Sequence, residues 1–342
     1  MSFGYSSVYE MCAKPVKKEK YFLLKTMWLG ICLALCIILI VVGAYTRLSN
    51  SGLSISYWKP ITSWLLPLTT DAWDKEFEIY KNFPEYGLVN HGMSLEEFKY
   101  IFGIEYLHRL IAKLLGAIYI IPGMYLILTN QADKKEYFLT SFCILLQGLF
   151  GWLMVRSGLI DKPYVNHINL AIHLKMGIFI YFILFSSFKQ TLVKYDRKIC
   201  SLSSKHKFLL RTITALFFLQ VFLGGMMAGL DGGKIYQSFP LMGKTFIPTE
   251  IIQYGIDFND PVTIHFFHRL CAYLLTIAMI SFNFGIIKSH PAIGIASICL
   301  ILLQICFGFA ILFYQGSVLL PILHSFMGII IASLIVEYHF LK

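Results

Sequence analysis

Apolar residues in this chain run in long blocks, without the alternation of a half-buried strand or the narrow stripe of a surface helix. Eight such blocks stand near 26–46, 104–128, 137–156, 167–188, 208–230, 263–287, 292–313 and 318–341. Each is about as long as the roughly 20 mainly apolar residues that carry an α-helix across the hydrocarbon layer of a bilayer. The pattern predicts an all-α integral membrane protein with eight transmembrane helices. The first block follows Lys14, Lys17, Lys18, Lys20 and Lys25 and is too long for the apolar part of a cleavable leader. It therefore reads as a spanning helix that starts in the cytoplasm.

Composition supports the same class. Of 342 residues, 57% are hydrophobic and 14% charged, and the mean hydropathy is +0.67. A water-soluble domain of this length could not hide so much apolar surface. The net charge of +10 suggests nucleic acid at first sight, but its distribution argues against that partner. With the N-terminus inside, sixteen Lys and Arg fall in inner segments. Nine fall in the longer outer segments, at Arg47, Lys59, Lys75, Lys81, Lys99, Arg156, Lys162, Lys234 and Lys244. That is the bias that orients membrane proteins, and it predicts a multi-pass protein of a cell inner membrane with both termini cytoplasmic. All eight cysteines lie in spans or inner segments, so no disulfide framework is expected on the oxidising side.

The chain also repeats itself. HRLIAKLL begins at His108 and HRLCAYLL at His268; IHLKMG surrounds His173 and LHSFMG surrounds His324. Between the members of each pair lies Gln-x-x-x-Gly, at Gln147–Gly151 and Gln304–Gly308. The same order at a nearly constant offset predicts two pseudo-symmetric four-helix bundles. They would cover 26–188 and 208–342, with a cytoplasmic tail at 1–25 and a basic inner linker at 189–207.

What repeats is histidine near the outer end of the second and fourth helix of each half. Ionisable residues inside a span are costly and mark function. Two imidazoles on different helices at similar depth suit axial ligation of haem iron. A structural zinc site would want four ligands converging in one place, and a proton relay or simple packing would also use buried histidine. Arg109 and Arg269 follow two of these histidines. Each could pair with a haem propionate or reach out to lipid phosphate; Arg47 has the same two readings. Alignment of the halves sets Glu105 opposite His265. A carboxylate three residues before His108 suggests that one half performs chemistry, unless it only favours a helix start at the interface. His91, His167, His206, His290 and His339 read as ordinary interfacial residues.

The residues now become recognisable. GAYTRLSNSGLSISYWKP at 43–60, PEYGLVNHGMSLEEFKYIFGIEYLHR at 84–109, LQGLFGWLMVRSGL at 146–159 and QSFPLMGKTFIP at 237–248 closely resemble the haem A synthase family. The first outer loop lacks the cysteine pair of one branch, so the chain resembles the branch of alphaproteobacteria and mitochondria. The resemblance implies oxidation of a methyl group of haem O to the formyl group of haem A, the cofactor of terminal oxidases. It implies that His108 and His173 hold the substrate haem and that His268 and His324 hold a haem b cofactor. It makes Glu105 the functional carboxylate. Expected partners are haem O, a haem O synthase, an electron donor (ferredoxin-like or quinol) and the lipid bilayer. Two other readings stand beside it: a dihaem membrane cytochrome that only carries electrons, and a haem chaperone.

Overall fold

A segment inside a bilayer must satisfy its backbone polar groups within itself, and each of the eight apolar blocks does so as an α-helix. The structure, a computed structural model, describes residues 6–58, 64–160, 162–193 and 203–341, with side chains from residue 21. Residues 194–202 of the linker 189–207, Cys200 among them, and the side chains of Cys12, Lys14, Lys17, Lys18 and Lys20 lie outside what is described. The long helices are α1 (Ser6–Leu48), α4 (Leu95–Leu128), α5 (Lys134–Ser157), α6 (His167–Val193), α7 (Ser204–Gly229), α9 (Pro261–Ile286), α10 (Pro291–Phe313) and α11 (Leu319–His339). All eight are long and apolar enough to cross a membrane. Three short helices lie in the connecting loops: α2 (Thr70–Tyr80), α3 (Pro84–Leu88) and α8 (Thr249–Tyr254). No strand of any length forms among the described residues.

Local chemistry sets the helix starts. Ser94 caps α4, with a reciprocal bond from its backbone N–H to Glu97, which lets that helix begin well before its apolar block. Asp133, Ser203 and Asp260 accept first-turn N–H groups of α5, α7 and α9. Pro261 and Pro291 occupy the first turn of α9 and α10, where the missing N–H costs nothing.

Helix α1 packs on α4 and α6, and α5 bridges α4 and α6. Likewise α7 packs on α9 and α11, and α10 bridges α9 and α11. Contacts of α6 with α7 and of α11 with α1 and α6 join the two sets. One apolar core runs through both, including Trp28, Leu29, Tyr119, Ile213, Phe282 and Tyr338. Within it the Tyr181 hydroxyl meets the Ser333 hydroxyl at 2.6 Å. At the end opposite the long loops, Lys189 pairs with Glu337 at 2.7 Å.

The first long loop, 49–94, has its own small core. Phe77 and Tyr80 of α2 stack on Phe98 of α4, with Ile55, Ile101 and Phe102 completing the cluster. Burying these rings pins the loop over the end of α4.

Candidate functional site

The four repeated histidines lie on α4, α6, α9 and α11, each on every second spanning helix. Each ring rests on a glycine of the helix before it. A Cβ at Gly43 of α1 would stand 2.9 Å from His108 Cε1, and one at Gly151 of α5 3.0 Å from His173 Cε1. At Gly224 of α7 and Gly308 of α10 the distances to His268 and His324 are 3.4 and 3.6 Å. These glycines all sit within two turns of their helix ends, so the four rings share one depth, near the long loops. Small residues let helices and rings approach closely in a membrane bundle.

The ring centroids of His108 and His173 are 6.5 Å apart, with planes inclined at 58°. A metal between two imidazoles, with bonds of roughly 2 Å, sets their centroids roughly 6 Å apart, so this pair fits one iron. All four histidines line a single cavity of about 2400 Å³, well above the roughly 300–1,000 Å³ of a pocket for one small molecule. Among the described residues no three His, Cys, Asp or Glu side chains converge as a metal cage. The Nδ1 atoms of His108, His173 and His324 are buried without a hydrogen-bond partner. Paired imidazoles with unsatisfied nitrogens, facing a large apolar cavity, suit the ligation of flat macrocycles through their metal.

Beside His108, Glu105 is 3% exposed and meets four donors. Arg109 donates to its Oε1 from Nε at 3.1 Å and from Nη2 at 2.6 Å. The Ser54 hydroxyl and the Ile55 backbone N–H donate to Oε2 at 2.7 and 2.9 Å. Arg109 also donates to the carbonyls of Ile55 and Tyr57, at 2.6 and 2.9 Å. In the second set, Arg269 Nε donates to His265 Nε2 at 2.9 Å, and its other nitrogens reach the carbonyls of Ser238 and Tyr236 at 2.8 and 3.1 Å. Both arginines therefore clamp a long loop onto the helix that carries one of the repeated histidines, while lining the cavity. Arg47 donates to the Ala228 carbonyl at 2.8 Å and pairs with Asp231 at 3.7 Å, tying the end of α1 to the loop after α7.

The family profile described as "Cytochrome oxidase assembly protein" (COX15-CtaA) matches residues 26–336. The chain belongs to the COX15-CtaA family. Among its curated relatives is a protein of Rickettsia bellii (strain OSU 85-389) named "Heme A synthase", 39% identical over 327 residues, covering 91% of this chain and 96% of the relative. A protein of the same name from Rickettsia canadensis (strain McKiel) is 39% identical over 333 residues, covering 92% and 97%. That of Rickettsia africae (strain ESF-5) is 38% identical over 332 residues, with the same coverage.

In this COX15-CtaA chain the structure adds residues that sequence reasoning passed over. Glu85 of α3 is buried, accepts a hydrogen bond from the Tyr80 hydroxyl at 2.9 Å and lines the cavity. Asn90 donates to that same hydroxyl at 2.7 Å. Burial pushes the Glu85 carboxyl up to about 7, and the nearby charge of Glu105 adds to the rise, while the Tyr80 bond opposes it. No periodic pattern marks a loop carboxylate as buried; only the fold of 49–94 does. Gln220 was legible: Gln220–Gly224 is a third copy of Gln-x-x-x-Gly. His91, His167, His206, His290 and His339 take local partners, such as the Phe258 carbonyl 3.2 Å from His167 Nε2.

Proposed function

We propose that this protein is a haem A synthase, an oxidoreductase that converts a methyl group of haem O to the formyl group of haem A. The observation that carries the proposal is near-full-length similarity to relatives named heme A synthase, in a chain whose four cavity-lining histidines suit haem. His108 and His173 hold the substrate haem; His268 and His324 hold a resident haem b. When bound, haem b supplies one-electron redox chemistry. The rest falls to the chain's own residues.

Glu105 is the catalytic carboxylate. Four donors hold it in place, so it acts as a fixed negative charge beside the substrate and favours positive charge as the methyl carbon is oxidised. His265, at the matching place in the second set, gives haem b no such partner. Arg109 and Arg269 add positive charge to the cavity wall for the anionic propionates while fixing the loops that cover it. The two sets of four helices, 26–188 and 208–342, divide the work between substrate and cofactor. The apolar lining of the cavity suits the farnesyl-type tail; the protein sits in the cell inner membrane with both termini in the cytoplasm, a reading that the lysine and arginine distribution supports. A haem O synthase supplies the substrate, and a ferredoxin-like protein or a quinol is the electron donor.

The test is to express the chain with a haem O synthase in a host that makes no haem A, then extract the haems and identify them by mass. Haem A or hydroxylated haem O is expected. Unaltered haem O beside fully bound haem b would overturn the proposal in favour of a dihaem electron carrier.

A further inference from the structure

The lysines and arginines that line the cavity differ in how their donors are engaged. Every nitrogen of Arg109 and of Arg269 already donates within the protein. Arg47 is held by the Ala228 carbonyl and Asp231, and Lys234 pairs with the same carboxylate at 3.3 Å. Lys113 stands over the Trp64 ring, 5.3 Å from its centroid. Lys75 belongs to α2, where Asp71, Asp74, Glu76 and Glu78 flank it in sequence and repel an anion. Arg156 is different. Among the described residues its guanidinium makes no hydrogen bond or ion pair and lies over the Trp152 ring, 5.3 Å from the centroid.

Arg156 stands at the end of α5 on the side of the long loops, about 7.5 Å of helix rise beyond Gly151, the seat of His173. Trp152, next to Gly151, stacks on Trp58 with ring centroids 5.3 Å apart. Trp58 follows Tyr57, whose carbonyl Arg109 grips at 2.9 Å. The stack therefore ties α5 to the clamped loop, and the cation–π contact holds Arg156 at that wall. The second set keeps the ring contact and drops the cation. Gly308 seats His324 as Gly151 seats His173, so Phe309 matches Trp152 and Phe313 matches Arg156. Phe309 meets Phe239 with centroids 4.3 Å apart, and Phe239 follows Ser238, whose carbonyl Arg269 grips.

Haem is a largely apolar disc with propionate carboxylates at one edge. A guanidinium with uncommitted donors recognises a carboxylate by two parallel N–H bonds. We infer that Arg156 binds a propionate of the haem held by His108 and His173, with Trp152 and Trp58 as positioning residues, and that the second set has no such grip on α10. This rests on the reading of those histidines as a haem pair. An interfacial arginine also serves lipid phosphate; Arg156 instead lines the cavity that holds both histidines and is braced on a ring that lines it too. Its exposure to the loop side suits a site that takes in one haem and releases another, since the grip forms and breaks without opening the helix packing.

The experiment uses the purified full-length protein carrying its resident haem b. It is loaded with haem O or with the dimethyl ester of haem O, and transfer of each to excess apomyoglobin is followed, with haem b counted separately by mass. Wild-type protein should hold haem O several-fold longer than the ester. Arg156→Gln should release haem O several-fold faster and the ester at the wild-type rate, and Arg156→Lys should fall between. Unchanged haem b content reports an intact fold. Haem O release from Arg156→Gln at the wild-type rate would overturn the inference and leave the guanidinium to lipid phosphate. Equal acceleration for haem O and the ester would overturn it in favour of packing. Wild-type protein that takes up neither would overturn the reading of His108 and His173 as a haem pair and the inference with it. Wild-type protein that shows the preference but forms no haem A would overturn the synthase proposal alone.

Discussion

Glu105 and His265 hold equivalent places in the two sets of helices, and each receives the guanidinium of the arginine one turn on. Arg109 approaches Glu105 to 2.6 Å, and Arg269 approaches His265 to 2.9 Å. The arginine geometry is kept while the acceptor changes from a carboxylate to an imidazole. Only the first set therefore places a carboxylate one turn from a cavity-lining histidine of the repeat.

Glu105→Gln should keep the fold and the bound haem and lose most haem A formation, since it removes charge with little change in shape. Glu105→Ala should do more harm. It strands the half-buried Arg109 and leaves the Ser54 hydroxyl and Ile55 N–H without their acceptor, at a cost of about 3–5 kcal/mol for breaking a buried pair. Haem A yield, haem content and thermal unfolding of both variants check this. Normal yield from Glu105→Gln would mean that the carboxylate serves only to anchor the loop.

His268→Ala and His324→Ala should each remove the low-spin haem b spectrum. The glycine contacts grade the effect of a single methyl group. Gly43→Ala and Gly151→Ala force a Cβ to within 2.9 and 3.0 Å of a ring carbon, whereas Gly308→Ala leaves ordinary contact at 3.6 Å. The first two should displace His108 and His173 and lower retention of the substrate haem by several-fold; Gly308→Ala should leave haem b nearly intact. Haem quantification on the purified variants decides it, and equal loss in all three would count against rings seated on glycine.

Glu85 makes the first long loop sensitive to pH. Burial raises its carboxyl in the folded protein to about 7 from the ordinary 4.5 of an exposed glutamate, so the folded state binds its proton more tightly than the unfolded state. That stability is fully present below the unfolded value and is lost as pH rises through about 7. The amount is on the order of 3 kcal/mol for the loop. Protease cleavage within 49–94 should increase as pH rises through that value, and Glu85→Gln should flatten the profile. A pH-independent cleavage rate in the wild-type protein would contradict this.

Activity should not depend on a thiol. Cys32, Cys36, Cys143 and Cys271 are buried in helix packing, and Cys299 and Cys306 are exposed on α10. A variant with every cysteine replaced by alanine should still form haem A, with some loss of stability from the cavities left at the buried sites. Loss of activity with fold and haem content intact would show that a thiol takes part. Cys271, on the same helix as His268 and three residues after it, would then be the first to restore.

Much of this protein is determined by sequence alone, for reasons local to the chain. A bilayer admits a span only as a long apolar run that satisfies its own backbone, so the eight helices follow from block length. The starts of α4 and α9 extend beyond those blocks because Ser94 and Asp260 cap them. The four histidines stand out because polarity within such runs is rare and because they repeat. Contacts between distant segments are different, since they depend on which helices meet. That Arg109 also grips the carbonyls of Ile55 and Tyr57, that Glu85 is buried under Tyr80, and that each histidine lies against a glycine of its neighbour were decided by tertiary structure alone. In each case the partners lie on separate elements or in a loop with no periodicity, and burial, which gives these polar contacts their strength, exists only once the helices have packed.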